Sequence, residues 1–305
     1  AYFLYGVLQF SAALEEAKAR TGESIALRIL TESRLRERPR TFLFVGDIML
    51  SRAVGRVMER EQDPRYPFLR IADTVRAADF AFGNLESPIS DRGTRQNKGF
   101  AFRAEPNVVE GLVYAGFDAL SVANNHIFDY GSEAYDDTLV RLRAERIEPI
   151  TGEPYIAEVG DTRIAFVAYA PVLPSFNKEK ALNTIRSLQT SNIQHLTSNI
   201  VAVSLHWGEE YVLQPSAAQR ALARAFIDAG ADLIIGHHPH VVQEVERYKN
   251  GYIVYSLGNF VFDQNFSEET MKGLMLRVRI SGGRILGVEE IFIPINETFQ
   301  PYLVL

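Results

Sequence analysis

The chain has 305 residues, 47% of them hydrophobic and 23% charged, and a formal net charge of −6. That balance suits one large or two modest globular units and excludes a disordered or fibrous chain. No basic excess marks a nucleic-acid partner, and with no cysteine present any metal must be held by His, Asp, Glu or Asn.

Residues 1–40 read as an N-terminal helical extension. Its start, Ala1 to Leu14, is mostly apolar but too short to span a bilayer as a helix, and a charged stretch follows, broken at Gly22. The alternative for the apolar start is the tail of a removed signal or anchor segment. Thr41–Val45 is a β-rich run ending in Gly46-Asp47, with a helix expected over 48–60. A second helix is expected over 68–78, then a strand over 79–82 that ends Gly83-Asn84-Leu85-Glu86. Residues 89–104 are loop-like. A helix near 107–115 precedes a strand over 117–122 that ends Asn124-Asn125-His126, and a helix over 132–145 leads to a short strand at 146–150.

The second half repeats the pattern. Thr162–Tyr169 reads as a strand and 178–198 as a polar helix whose His195 has no acidic neighbour and is expected at the surface. Ile200–Leu205 is a strand ending in His206-Trp207-Gly208-Glu209-Glu210. A helix over 216–229 leads to Leu233-Ile234-Ile235 and then Gly236-His237-His238-Pro239-His240. Half of the six histidines lie in that stretch. Pro239 biases His238 towards extended backbone, and an extended His-x-His pair points both rings to one side. Two hairpins follow, one turning at Lys249-Asn250-Gly251 and one at Gly282-Gly283. Strand–helix alternation with late hairpins predicts an α/β fold with mixed sheets.

Five strand ends thus finish in metal-capable side chains: Asp47, Glu86, Asn125-His126, His206 and His238/His240. As unrelated features they would be helix caps and turn residues. As one cluster they predict a site on a single edge of the sheet system. Carboxylates mixed with imidazoles suit Zn, Mn or Fe rather than an all-oxygen calcium cage, and paired ions clamp the oxygens of an in-line phosphoryl displacement.

The same stretches carry a family resemblance. Phe44–Arg52, Gly83–Glu86, Ala123–Gly131, Leu205–Tyr211, Gly236–His240 and Tyr255–Phe260 resemble, in order, the motifs of the CapA/PgsA family of bacterial poly-γ-glutamate capsule synthesis. That family is similar to calcineurin-like metallophosphoesterases. The resemblance implies a four-layer α/β/β/α sandwich over 41–297, with 298–305 as a C-terminal tail. It implies Asp47, Glu86, Asn125, His206, His238 and His240 as ligands of one or two divalent ions, Glu86 in the bridging place. His126 would be the general acid. Arg52, Asn84, His237, Glu210 and Asn259 would touch substrate or support the ligands. Met49 departs from the phosphoesterase Asp-x-His pattern, and a thioether is a poor ligand for such ions.

The function expected is therefore a metal-dependent, hydrolase-like component of poly-γ-glutamate or capsule production. Its expected place is outside the cytoplasm, anchored to the cell membrane through a removed N-terminal segment. Its expected partners are the anionic polymer and membrane-bound synthase components, with no nucleic acid. One alternative is a non-catalytic accessory module that binds the polymer or the synthase. Another is a generic metal-dependent phosphodiesterase.

Overall fold

The computed structural model describes residues 38–190 and 200–304. Residues 1–37 of the expected extension, and His195, lie outside them. In chain order the elements are β1 (Arg40–Ile48), α1 (Arg52–Glu61), α2 (Ala72–Arg76), β2 (Phe80–Leu85), α3 (Val109–Ala115), β3 (Ala119–Ser121), α4 (Gly131–Ala144), β4 (Glu148–Ile150), β5 (Tyr155–Val159), β6 (Thr162–Tyr169), α5 (Lys178–Thr190), β7 (Ile200–His206), α6 (Ala217–Asp228), β8 (Leu233–His237), β9 (Val245–Tyr248), β10 (Gly251–Val254), β11 (Asn259–Val261), β12 (Lys272–Ser281) and β13 (Arg284–Pro294).

The strands make two sheets. The first runs β13-β12-β1-β2-β3-β4, with β11 also paired to β1, and the second runs β5-β6-β7-β8-β10-β9. Strands β1 to β4 are mutually parallel, and so are β6, β7, β8 and β10. The parallel strands therefore deliver their carboxyl ends to one side of each sheet, where open α/β sheets bind ligands.

Alternation along the strands assigns the layers. Phe42 and Phe44 of β1 and Phe80 and Phe82 of β2 face the second sheet and pack with Ile164, Phe166, Ala202 and Ile235. The Phe166 ring stacks on Phe80 at 5.1 Å and on Phe82 at 5.4 Å between centroids. The intervening Leu43, Val45 and Ala81 face the other way, into a core shared with α1 to α4. On the far side of the second sheet, Val167, Val203 and Ile234 pack against α5 and α6. The result is the expected α/β/β/α sandwich.

Three aspartates staple the entry of parallel strands. Asp79, Asp118 and Asp232 each donate the backbone N–H to a carbonyl on the neighbouring strand (Thr41, Ala81 and Val201). Each then accepts that same residue's N–H on its carboxylate, at 2.9, 2.7 and 2.8 Å respectively. An Asp just before an apolar run is thus a register pin, not only a turn residue.

Several elements differ from the sequence expectation. Strand β1 runs on through Gly46-Asp47 to Ile48, because Gly46 lets Gly258 approach: a Cβ there would lie 2.0 Å from the Gly258 carbonyl oxygen. Helix α1 starts only at Arg52, its N-terminus held by Asp263, which accepts the Ala53 N–H at 2.9 Å. The helix expected over 68–78 is a 3₁₀ turn at Tyr66–Phe68 followed by the short α2. The polar helix at 178 ends at Thr190, and β5 and β11 are additional strands. Near the C-terminus Phe299 and Gln300 are buried, and the Gln300 amide donates to the Tyr66 carbonyl at 2.6 Å.

Candidate metal centre

The carboxyl ends of the two sheets meet over one group of polar side chains, all buried but the half-buried Asn125. From the first sheet come Asp47 at the end of β1, Asn84 in β2, Glu86 one residue beyond it, and Asn125-His126 beyond β3. From the second come His206 at the end of β7, His237 at the end of β8, and His238 and His240 in the following turn. The ladder aligns Asp47 with Asn84, and His206 with His237. The cluster therefore lies between the edges of two sheets, not along the edge of one.

The His238/His240 turn is not extended. His238 has φ 95° and His240 φ 58°, both left-handed. Pro239 restrains its neighbour, but the His238 N–H is drawn to Asp47 Oδ2, 3.2 Å away. The two rings converge because the backbone curls. Left-handed backbone at non-glycine residues is strained and concentrates at functional sites. Arg52 (φ 54°) and Tyr211 (φ 66°), which flank the cluster, share it.

Asp47 sits at the centre. Its Oδ1 accepts from Asn84 Nδ2 at 2.9 Å, and His237 Nδ1 lies 3.2 Å from the same oxygen without hydrogen-bonding alignment. His240 Nδ1 lies 3.3 Å from Oδ2. Burial pushes the Asp47 carboxyl upward, but the His237 and His240 imidazoles outweigh that and hold it well below the usual carboxylate range. Glu86 behaves oppositely. Burial, and then the negative charge of Asp47, push its carboxyl well above the ordinary value. Both its oxygens are buried without a hydrogen-bond partner. His206 Nε2 and His240 Nε2 stand 3.7 and 3.6 Å from Glu86 Oε1.

Burial favours the neutral, ligand form of His206 and His238. Burial, then His238, depresses His206 well below its ordinary value. Burial, then His240, pushes His238 down to about 4. His206 Nε2 lies 2.8 Å from Asn125 Oδ1, and His238 Nδ1 is buried with no partner. Two triads converge, Asp47/Glu86/His206 and Glu86/His238/His240, the ligand atoms of each within 4.8 Å of one another. Buried polar atoms without partners demand an explanation, and this nitrogen–oxygen donor set fits a divalent ion of the zinc, manganese or iron kind. Met49 supplies no donor: its sulfur accepts from Ser51 N at 3.2 Å and Ser51 Oγ at 3.0 Å, inside the hydrophobic core.

His126 stands beside the cluster. Its Nδ1 lies 2.6 Å from Asp129 Oδ2, and the Phe102 ring stacks on it at 3.9 Å. Burial lowers the His126 pKa, and Asp129 offsets part of that fall. Lys98 donates to Asp129 Oδ1 and, at 2.6 Å, to the Asn125 carbonyl. Arg52 pairs with Asp263 Oδ1 at 3.1 Å and lies 5.1 Å from the Phe102 centroid. Glu210 is exposed, and its charge bears on Glu86 and Tyr211. Asn259 Oδ1 lies 3.0 Å from His240 Nδ1. Sequence reasoning missed Asp129, Lys98, Phe102 and Gln264. A carboxylate three residues after His126 was a readable signal for Asp129. Lys98 and Phe102, in a loop of no periodicity, gave none.

A two-sheet α/β sandwich with a His/carboxylate centre at its strand ends defines the class. Within that class, residues 41–264 match the model of the bacterial capsule synthesis protein PGA_cap family, and the chain belongs to that family. It is 35% identical over 283 residues to a capsule biosynthesis protein CapA of Bacillus anthracis, covering 84% of this chain and 67% of the relative. It is 35% identical over 250 residues to a PGA biosynthesis protein CapA of Bacillus subtilis, covering 73% of this chain and 63% of the relative. The chain thus spans about two thirds of the length of these relatives. A probable polyglutamine synthesis accessory protein of Mycobacterium tuberculosis is 24% identical over 73% of this chain and 74% of its own length. Among solved structures, a hypothetical protein from Thermus thermophilus superposes with TM-score 0.56 at 16% identity, over 83% of this chain and 98% of that one, which shows a shared fold.

Proposed function

We propose that the chain is a component of poly-γ-glutamate or capsule biosynthesis that carries a metal-dependent, hydrolase-like site. It would work outside the cytoplasmic membrane, with the anionic polymer and membrane-bound synthase components as partners. Family membership and the relatives' names support the pathway. The chemistry rests chiefly on Glu86, a fully buried carboxylate with both oxygens unpaired that belongs to both triads.

Asp47, Glu86, Asn125, His206, His238 and His240 would hold one or two ions, which when bound supply Lewis acidity and charge for an anionic group. The remaining work falls to this chain's own side chains. Asp129 holds His126 by Nδ1, so Nε2 is the nitrogen left to pass a proton to a leaving group. Phe102 covers one face of that ring, and Arg52 offers an anion a guanidinium 37% exposed. Elemental mass spectrometry on protein purified without chelator should find one or two equivalents of metal, lost in an Asp47→Ala/His240→Ala variant. A metal-free wild type would sink the reading.

The accessory-module reading draws on Met49, whose sulfur is turned onto Ser51 and leaves one phosphoesterase ligand position without a donor. His126→Ala separates the two readings. Capsule output that falls while synthase binding persists favours catalysis, and unchanged output favours the module. Hydrolysis of bis-p-nitrophenyl phosphate without cleavage of γ-glutamyl polymer would favour a generic phosphodiesterase.

A further inference from the structure

We propose that Asn259 is a positioning residue for His240: it selects the Nδ1–H tautomer and so leaves Nε2 as the nitrogen that meets an ion. The ion rests on the metal-site reading above; the tautomer does not. A backbone carbonyl fixes the orientation of the Asn259 amide. The Thr270 carbonyl accepts from Asn259 Nδ2 at 3.0 Å. A carbonyl can only accept, so the amide nitrogen faces it and the amide oxygen faces away. That oxygen lies 3.0 Å from His240 Nδ1. It too can only accept, so Nδ1 carries the proton. Nε2 then bears the lone pair and stands 3.6 Å from Glu86 Oε1. Asp47 Oδ2 lies 3.3 Å from the same Nδ1 but makes no hydrogen bond with it.

The line continues outward. Asn259 Nδ2 also donates to Gln264 Oε1 at 3.0 Å, so Gln264 Nε2 faces Tyr211 and donates to its Oη at 3.1 Å. Asn259, Gln264 and Thr270 are all buried, so water does not compete for these bonds. His206 makes a contrast within the same site. Asn124 Nδ2 donates to the Leu85 carbonyl at 2.8 Å and to Asn84 Oδ1 at 3.3 Å, which turns Asn84 Nδ2 towards His206 Nδ1, 3.3 Å away. His206 Nδ1 must accept, so its proton is on Nε2, facing Asn125 Oδ1. The two imidazoles are opposite tautomers in the metal-free protein. His240 is preset for an ion at Nε2, whereas His206 must first move its proton. Fixing the free nitrogen of a ligand imidazole through its other ring N–H is worth about 10- to 100-fold in metal affinity.

The test uses ¹⁵N-histidine correlation spectra of the metal-free chain at about pH 9, above the ordinary imidazole range. The wild type should show His240 protonated on Nδ1 and His206 on Nε2. Asn259→Leu should lose the His240 preference and weaken Mn²⁺ binding by calorimetry about 10- to 100-fold. Asn259→Asp, which keeps an acceptor, should restore the tautomer. Gln264→Leu, which leaves the Thr270 carbonyl in place, should keep it. A wild-type His240 protonated on Nε2, or an Asn259→Leu protein with wild-type tautomer and affinity, overturns the proposal. Should circular dichroism show Asn259→Leu unfolded, the wild-type and Asn259→Asp spectra decide. A wild type that binds neither Mn²⁺ nor Zn²⁺ overturns the metal-site reading instead, and the tautomer still stands or falls on its own spectrum.

Discussion

The two sheets reach the same point by different means. On the first, Asp47 and Asn84 lie opposite one another in the β1–β2 ladder, and Glu86 comes one residue past the end of β2; none has left-handed backbone. On the second, His206 sits on an ordinary strand end, but His238 and His240 lie on left-handed backbone within three residues. A strand turns alternate residues to opposite faces; the β1–β2 ladder, after a register shift between Phe44 and Asp47, brings Asp47 to the seam, with Glu86 just past the end of β2. Bringing two imidazoles from one segment to a single carboxylate requires curling the chain, at a cost of order 1–3 kcal/mol per strained residue. The acids are therefore placed by the fold, and the paired imidazoles are placed by the site.

The largest test of that contrast removes what joins the sheets. Phe166, on β6, is buried and stacks on Phe80 and Phe82 of the facing sheet. Phe166→Ala should cost about 3–5 kcal/mol, the usual range for a buried aromatic in a packed core. Urea unfolding followed by fluorescence and circular dichroism should move to lower denaturant as one transition by both probes. Two separated transitions would mean that the sheets are independent bodies, and that the seam is not where the site is built.

How much of this was legible follows from range. The strands that end in the candidate ligands were readable because apolar runs closing on Gly-Asp, Gly-Asn-x-Glu or Gly-His-His-Pro-His are local patterns, and the six linked motifs implied the sandwich. The His238/His240 curl was not, because Pro239 argues for extended backbone, and the Asp47 carboxylate that accepts the His238 N–H in the curled turn is distant in sequence. Asp263 as the support of α1 lies 210 positions from the N–H it accepts. The 89–104 loop folds back through an Ile89–Ala104 bridge to carry Lys98 onto Asp129 and Phe102 onto His126, and neither residue announces this. Met49 was readable as a missing ligand, but its bond to Ser51 was not.

A second test separates the acids from the imidazoles through Glu86, the member both triads share. Addition of Mn²⁺ or Zn²⁺ at about 100 times Kd should stabilise the wild type by about 2.7 kcal/mol, the mass-action value for one site. Glu86→Gln should abolish that gain in a thermal-shift measurement. In the metal-free protein the same change should be neutral or stabilising. It replaces a buried carboxyl that burial and Asp47 push far up in pKa with a neutral group of similar shape. A variant that keeps the full metal-induced shift would place the ion away from the seam.

The smallest effect compares the staples at the opposite ends of the strands. Asp232 on the second sheet is half-buried and Asp118 on the first is more exposed as a residue, and partial desolvation of each carboxyl raises it above the ordinary value. Below the unfolded-chain pKa, about 3.9, both states are protonated and nothing is lost. As pH rises from there to the raised folded-state value, the unfolded chain ionises first and stability falls; above that value the loss is complete. Asp232→Asn keeps an acceptor for the Val201 N–H and has no such fall. Its stability relative to wild type should improve between about pH 4 and pH 7 by less than about 1 kcal/mol, given partial solvent screening. Asp118→Asn should change in the same direction by less, since its carboxylate is the better hydrated. Asp232→Ala, which strands a buried N–H, should instead lose about 1–3 kcal/mol at every pH. Equal and pH-independent losses for the two Asn variants would show that the staples act through hydrogen-bond geometry alone, and that burial does not distinguish the sheets at this end.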